Sequence, residues 1–350
     1  MCYPNRVMSE PRIDKKHIVV VGGGTGTHTI LRGLRQYHEE LELTAVVTMA
    51  DSGGSTGRLR DEFGHLPVGD ARMALAALAA DTNTQDELVR QLFLYRFAKG
   101  EGLSGHNFGN LLLTALTELC GSEAAAIESA ARILRVRGSV LPVTAESAHL
   151  QATYDDGLVR EGEAEIDEPP IERAPHRIVS LALTPAVTVN PTVVSALKQA
   201  DLIVFGPGDL YTSILANCVV DGFSAAVKAS AAPTVFVANL MTKAGQTTGM
   251  SVADHAAAVA QCSETPLRYV LCNTAPLPAD LLERYAAEQE YPVADTGELP
   301  DTVTRVEADL LREESVVTSA GDIVKRSLIR HDSDKLAAVV RSLLLHPTDE

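Results

Sequence analysis

The feature that most constrains this chain is a short β-branched run that breaks into a glycine loop and re-emerges as a helix. His17–Val21 is apolar and strand-like, Gly22-Gly23-Gly24-Thr25-Gly26-Thr27 follows, and then Ile30, Leu31 and Leu34 fall at helical spacing. Strand, tight loop, helix is the opening unit of an α/β sheet. The rhythm recurs. Leu43–Met49 reads as a second buried strand, and Leu202–Phe205, Thr234–Val237 and Arg268–Leu271 as later ones, with Ile178–Leu183 restarting the pattern after an interruption. Helical patterns cover Ala71–Ala80, Gln85–Phe97, Asn110–Leu119, Glu123–Arg135, Pro191–Gln199, Val252–Gln261 and Asp334–Leu345. This alternation predicts an α/β fold, Rossmann-like, with a mostly parallel sheet and helices on both faces.

The interruption has its own character. Leu150–Tyr154 and Leu158–Glu163 flank Asp155-Asp156-Gly157, a hairpin signal. Glu165–Pro175 is acidic and proline-rich, as a surface excursion would be. With 350 residues the chain has room for about two average domains. No linker divides it, so it reads as a single α/β domain over 1–350, with an ordered core over 17–345 and a small β-hairpin and acidic insertion at 139–177.

Charge narrows the partners. Acidic residues outnumber basic ones 46 to 30, a formal net charge of −16, and such a surface repels nucleic acid. Eight Tyr, seven Phe and no Trp offer neither a stacking platform for single strands nor a lectin-like sugar site. The five cysteines form no CxxC pair, which predicts a reduced, cytoplasmic chain without structural zinc. No apolar run reaches the length of a membrane span, and MCYPNRVMSEPRIDKK lacks the apolar core of a signal peptide. A homo-oligomer and protein partners stay open, since no stretch marks an interface.

The chemistry sits in the loops. Gly22–Thr27 offers backbone amides and a helix N-terminus to a phosphate, or is only a turn. It lacks the Gly-Lys-Ser/Thr ending of a Walker loop, and Thr27 stands where a dinucleotide fingerprint has its third glycine. Thr48–Arg60 should emerge at the same carboxyl edge, where open α/β sheets bind ligands. There Asp51 suits Mg²⁺ or a hydroxyl, Ser52, Gly53 and Ser55 suit a phosphate, and Arg58 or Arg60 its charge. The alternative is an Asx turn and helix cap. Asp70 either caps its own helix or joins Asp51 on a divalent cation.

Further along, Ser104–Asn110 presents His106, Asn107 and Asn110 as a polar wall or a capping loop, with His106 a candidate acid–base group. Gly206-Pro207-Gly208-Asp209-Leu210-Tyr211-Thr212-Ser213 repeats the strand, glycine loop, helix order, and Thr212 and Ser213 bind phosphate or cap. Asn239 ends a strand ahead of a loop in which Lys243 meets an anion or is solvated. No GxSxG, HExxH or activated cysteine is present, so no catalytic residue is assigned.

Taken together, Val21–Gly26, Asp51–Ser55, Pro67–Asp70, Gly105–Asn110, Gly206–Ser213 and Asn239–Thr242 resemble the YvcK-like gluconeogenesis factors, relatives of the CofD 2-phospho-L-lactate transferases. The resemblance runs in order over nearly the whole chain. It implies a CofD-like fold, a cytoplasmic protein that binds a UDP-sugar or another nucleotide, and a link to carbon metabolism and cell shape. It carries nucleotide contacts to Gly23, Gly24, Thr25, Gly26, Asp51, Gly206, Gly208, Thr212 and Ser213, with His106, Asn107 and Asn110 lining the same cleft. A binding and regulatory role is the first expectation. The second is a CofD-like Mg²⁺-dependent transferase that moves a phosphorylated group from a nucleotide diphosphate to a hydroxyl, with the metal on Asp51 and Asp70. Asp209, Lys243, Gln246 and Met73 stand where the family usually has Ser, Gln, Glu and Asn.

Overall fold

The computed structural model describes residues 15–313 and 328–345. Most of the N-terminal segment read for a targeting signal, with Cys2, lies outside them. The strands are β1 (Lys16–Gly22), β2 (Leu41–Val47), β3 (Ser139–Pro142), β4 (His149–Tyr154), β5 (Val159–Glu161), β6 (Ile178–Thr184), β7 (Leu202–Phe205), β8 (Thr234–Val237), β9 (Tyr269–Asn273) and β10 (Thr304–Ala308). Seven of them form one sheet in the order β10-β9-β8-β7-β1-β2-β3, and every pairing in it is parallel.

Sequence chemistry explains the centre of this sheet. β1 (KHIVVVG) and β7 (LIVF) are apolar at successive positions because both faces are covered. The two-residue period of a strand sends Ile18 and Val20 to one layer, with Ile30, Leu31, Leu75 and Leu336. Val19 and Val21 go to the other, with Leu197, Ile214 and Phe223. Around the sheet lie α1 (Gly24–Leu34), α2 (Gly54–Phe63), α3 (Gly69–Leu78), α4 (Thr84–Leu94), α5 (Phe108–Cys120), α6 (Glu123–Ile133), α7 (Glu163–Asp167) and α8 (Pro191–Gln199), with later helices including Val252–Cys262 and Ser333–Leu345. No helix among the described residues is long and apolar enough to cross a membrane.

The connections turn opposite ways on the two sides of β1. From β1 the chain runs through α1 to β2 on one side; β7, on the other side, leads into a π-helical turn, Leu210–Leu215. The first connection packs against the layer of Val20 and the second against that of Val21. β1 and β7 therefore flank a topological switch point, where a crevice opens at the carboxyl ends of the strands.

Two expectations change. Ile178–Thr184 does not join the parallel sheet. It pairs antiparallel with β4 in a separate sheet of order β5-β4-β6. From Ser180 onward its residues alternate between exposed and half-buried, as in a strand covered on one face, whereas a central parallel strand is apolar on both. The acidic excursion is also only partly at the surface. Ile166 and Ala174 are buried, and they draw the carboxylates beside them inward.

Candidate functional site

The crevice is built from two glycine loops in backbone contact. A β-carbon at Gly26 would lie 2.1 Å from the Pro207 carbonyl oxygen and 2.8 Å from Gly208 Cα, so only hydrogen fits there. Gly208 in turn lies against Ser213 and the Gly23 carbonyl. Buried Asn217 fastens the pair, its Nδ2 donating to Gly22 O at 3.1 Å and to Ser213 O at 2.8 Å. Asn239 Nδ2 holds Gly208 O at 2.7 Å. Gly23, Gly24, Thr25, Gly26, Gly206, Gly208, Thr212, Ser213 and Asn239 thus come from distant parts of the chain to one edge. The first-turn amides of α1 lack partners within their helix, which makes this edge electropositive in backbone terms.

Carboxylates oppose that polarity. Asp70 lies in the first turn of α3 yet leaves its own helix, and its Oδ1 accepts from Gly24 N–H at 2.8 Å. The cap alternative for Asp70 is thereby replaced: it caps α1 instead. Asp51 Oδ1 accepts from Gly53 N–H at 2.9 Å, and a β-carbon at Gly69 would meet Asp51 Oδ2 at 2.2 Å, so the Asp51 carboxylate stands against the start of α3. Burial, then the charge of Asp51, pushes the Asp70 carboxyl up to about 7. Burial also raises Asp51, against the Gly53 amide, the Thr56 hydroxyl and the charge of Arg72. Two half-buried oxygen donors that repel each other fit a hard divalent cation such as Mg²⁺, which would hold both ionised and leave positions for water and phosphate oxygens.

His106, Asn107 and Asn110 stand one layer behind. Ser55 Oγ lies 3.2 Å from His106 Nδ1 and accepts from Asn107 N and Asn110 Nδ2, while Asn110 also donates to Thr56 Oγ1 at 3.1 Å. Thr56 in turn bonds Asp51, so these residues buttress the carboxylate. Burial, with the nearby Arg58 charge, holds His106 below its usual range. Asn107 caps α5, its Oδ1 accepting from Gly109 N at 2.9 Å while its Nδ2 donates to Leu94 O. Asn107→Ala should lower the unfolding free energy by about 1–2 kcal/mol in urea titration. Arg58 donates to Ser104 O on the exposed side of α2 and Arg60 donates to Asp61, so the structure directs both away from Asp51 and Ser52.

The site also contains residues that the sequence pattern did not single out. Ser52 Oγ accepts from Ala164 N at 2.9 Å, and Ser52 N–H donates to Glu163, so α7 lies across the Asp51 loop. Burial, with Asp51, Asp167 and Asp70, drives Glu163 well above the usual carboxylate range. At the other end of α7, Asp167 accepts from Thr212 Oγ1 at 3.0 Å and from Lys243. Burial would raise Asp167, but the Lys243 ammonium holds it down. Lys243 also reaches Asp209 at 3.1 Å. Asp51, Asp70, Glu163, Asp167 and Asp209 therefore surround a crevice supplied with Lys243 and Arg72 as cations. The signal for α7 was Ile166, an apolar residue inside an acidic run.

One group of three metal-type side chains converges among the described residues, Asp155, Asp156 and His176, but it lies on the hairpin turn, where Arg173 grips Asp156 at 2.6 and 3.0 Å.

The chain is also similar to known proteins. The profile of the family described as 2-phospho-L-lactate transferase CofD matches residues 18–314. A Nostoc protein whose name carries the term gluconeogenesis factor is 42% identical over 92% of this chain and 67% of its own length. The Bacillus subtilis gluconeogenesis factor is 38% identical over 94% of this chain and 98% of its own. Among solved structures, protein BH3568 of Bacillus halodurans superposes with a TM-score of 0.82 at 35% identity, covering 94% of this chain and all of that one; a second structure of it is described as a UPF0052 family member. The chain belongs to the CofD family, among its gluconeogenesis-factor members.

Proposed function

We propose that the crevice between β1 and β7 binds a nucleoside diphosphate sugar of the UDP type, and that the protein is a cytoplasmic regulatory binder linked to carbon metabolism and cell shape. The observation that carries this reading is the pair of interlocked glycine loops at the switch point, with α1 opening between them. Such a place suits a diphosphate, which takes backbone amides and hydroxyls rather than a nucleophile. The Ser55–His106 contact makes no nucleophile, because Ser55 Oγ also accepts two N–H bonds beneath α5.

Five carboxylates around the crevice make unaided diphosphate binding unfavourable, so a divalent cation belongs to the same reading. Titration calorimetry with UDP-N-acetylglucosamine and Mg²⁺ should give micromolar binding, weakened about tenfold in Thr25→Val, a loss typical of one hydrogen bond to a charged group. No heat with UDP-N-acetylglucosamine, UDP or GDP would overturn it.

The Asp51–Asp70 pair favours a second reading: Mg²⁺-dependent transfer of a phosphorylated group, of the 2-phospholactyl type, from a nucleotide diphosphate carrier to an acceptor hydroxyl. Here the cation would neutralise the diphosphate as the nucleoside monophosphate leaves. Metal-dependent release of that monophosphate in the presence of an acceptor would put this reading first.

A further inference from the structure

The α7 helix is tied to loops from two different strands of the sheet. At its start, Ala164 N–H donates to Ser52 Oγ and Glu163 accepts from Ser52 N–H, on the loop that carries Asp51. At its end, Gln246 Nε2 holds the carbonyls of Ile166 and Asp167 at 3.0 and 3.2 Å. There the Asp167 carboxylate accepts from Thr212 Oγ1 at 3.0 Å and from Lys243 Nζ. Thr212 belongs to the Gly206–Ser213 loop, and Lys243 is a cation on the loop after β8. Carboxylates and phosphates accept from the same donors, an ammonium and a hydroxyl among them. The donors that a phosphate on this loop requires are therefore already bound by a carboxylate of the chain itself.

The local charge makes the two acceptors exclusive. Lys243 pairs with both Asp167 and Asp209, so with both carboxylates ionised the trio is net negative. A phosphate added to it is repelled unless one carboxylate withdraws. Asp209 sits where the interlocked loop enters the π-helical turn, its carbonyl accepting from Ser213 N and Ile214 N. Asp167 is freer. It ends a five-residue helix, its side chain is 26% exposed, and that of Lys243 is 24% exposed, so solvent reaches the pair. Ile166 is buried in the core and keeps α7 seated, which confines the change to rotation of the Asp167 side chain.

Resting on the nucleotide reading above, we infer that Asp167 is a built-in competitor of the ligand: its carboxylate fills the place of a phosphate between Thr212 and Lys243 in the free protein, and a diphosphate binds there by displacing it. The consequence is regulatory. A site open for only a fraction of the time has its apparent affinity lowered by that fraction. Asp167 thus sets the ligand concentration at which the protein responds.

Calorimetry on the full chain with UDP and with inorganic pyrophosphate, each with Mg²⁺, tests this. Asp167→Ala should tighten both by about tenfold or more, which corresponds to a site open for about a tenth of the time or less. The isosteric Asp167→Asn, which keeps an oxygen for Thr212, should tighten both at least threefold. Glu165→Gln removes the same charge from the exposed face of α7, where Glu165 pairs with Arg160 at 3.0 Å, and should leave both within twofold. Wild-type binding that neither Asp167 variant tightens threefold means that the ligand binds with the carboxylate in place, and overturns the displacement while the nucleotide reading stands. An equal gain in Glu165→Gln also overturns it, by tracing the effect to net charge. Failure of UDP and pyrophosphate to bind the wild type and both Asp167 variants sinks the nucleotide reading, and the displacement with it.

Discussion

Gly26→Ala should weaken UDP binding by more than tenfold and destabilise the fold by about 3 kcal/mol, the upper range for overpacking. Gly26 has no positive φ, so the loss comes from space alone. The added methyl would sit 2.1 Å from Pro207 O and 2.5 Å from its carbonyl carbon, and backbone cannot swing aside as a long side chain would. Relief requires moving the Gly206–Asp209 segment off α1, which separates the two loops that would hold a diphosphate. Gly24→Ala is the informative contrast. Its nearest neighbour, Ser213 Oγ, is 3.9 Å away, but Gly24 has φ +59°, a left-handed conformation. That substitution should cost only about 1 kcal/mol, the conformational penalty by itself. Urea unfolding and UDP titration on the two variants measure both effects. If Gly26→Ala is as mild as Gly24→Ala, the loops are not interlocked and the crevice is looser than described.

The loops were legible because their chemistry is local. A β-branched strand ending in glycine and re-entering as a helix needs no distant partner to be recognised, and β1, β7 and their loops lie where the pattern put them. Asp70 was legible as a residue but not as a contact. Its position marks a helix start, while the amide it accepts belongs to Gly24, forty-six residues earlier in the chain. Asp167 was hidden by composition, since an acidic, proline-rich run reads as solvated unless Ile166, buried within it, is weighted above its neighbours; Glu163 was hidden as the last residue of the expected Leu158–Glu163 strand, whereas it opens α7.

The departures from the family pattern had a logic visible only in three dimensions. Asp209 and Lys243 each looked anomalous alone. They form an ion pair at 3.1 Å, so a carboxylate where the family has a hydroxyl is matched by an ammonium where it has an amide. Gln246 completes the group. Its Nε2 donates to the carbonyls of Ile166 and Asp167, a bond that the family's glutamate could not make when ionised. Asp209, Lys243 and Gln246 converge on α7 and its docking against the crevice. Met73 makes no contact here that explains its replacement of asparagine.

Asp70→Asn should stabilise the metal-free protein above pH 7 while removing its response to Mg²⁺. The sign follows from linkage. Burial pushes the folded Asp70 carboxyl up to about 7 from its ordinary value of 3.8, so between those values the folded chain keeps a proton that the unfolded chain has released. Stability from this group is therefore greatest at low pH and is lost as pH rises from about 4 to about 7. Burial of the charge is the main cause, followed by the charge of Asp51 on the α2 loop; the Gly24 amide and Arg72 on α3 oppose it, and Asp167 on α7 adds to it. A shift of this size corresponds to about 4 kcal/mol at most, and water at a half-buried carboxylate reduces it to about 1–2 kcal/mol. Asparagine keeps an oxygen for the Gly24 amide and removes the repulsion. In urea titrations with EDTA, the variant should match wild type near pH 4 and exceed it by that margin at pH 8. Adding Mg²⁺ at pH 8 should raise the wild-type midpoint and leave the variant unmoved, because a neutral amide does not replace a carboxylate on a hard cation. A variant less stable than wild type at pH 8 would mean that the Gly24 bond, not the charge, dominates at this residue. A variant that still responds to Mg²⁺ would remove Asp70 from the cation site.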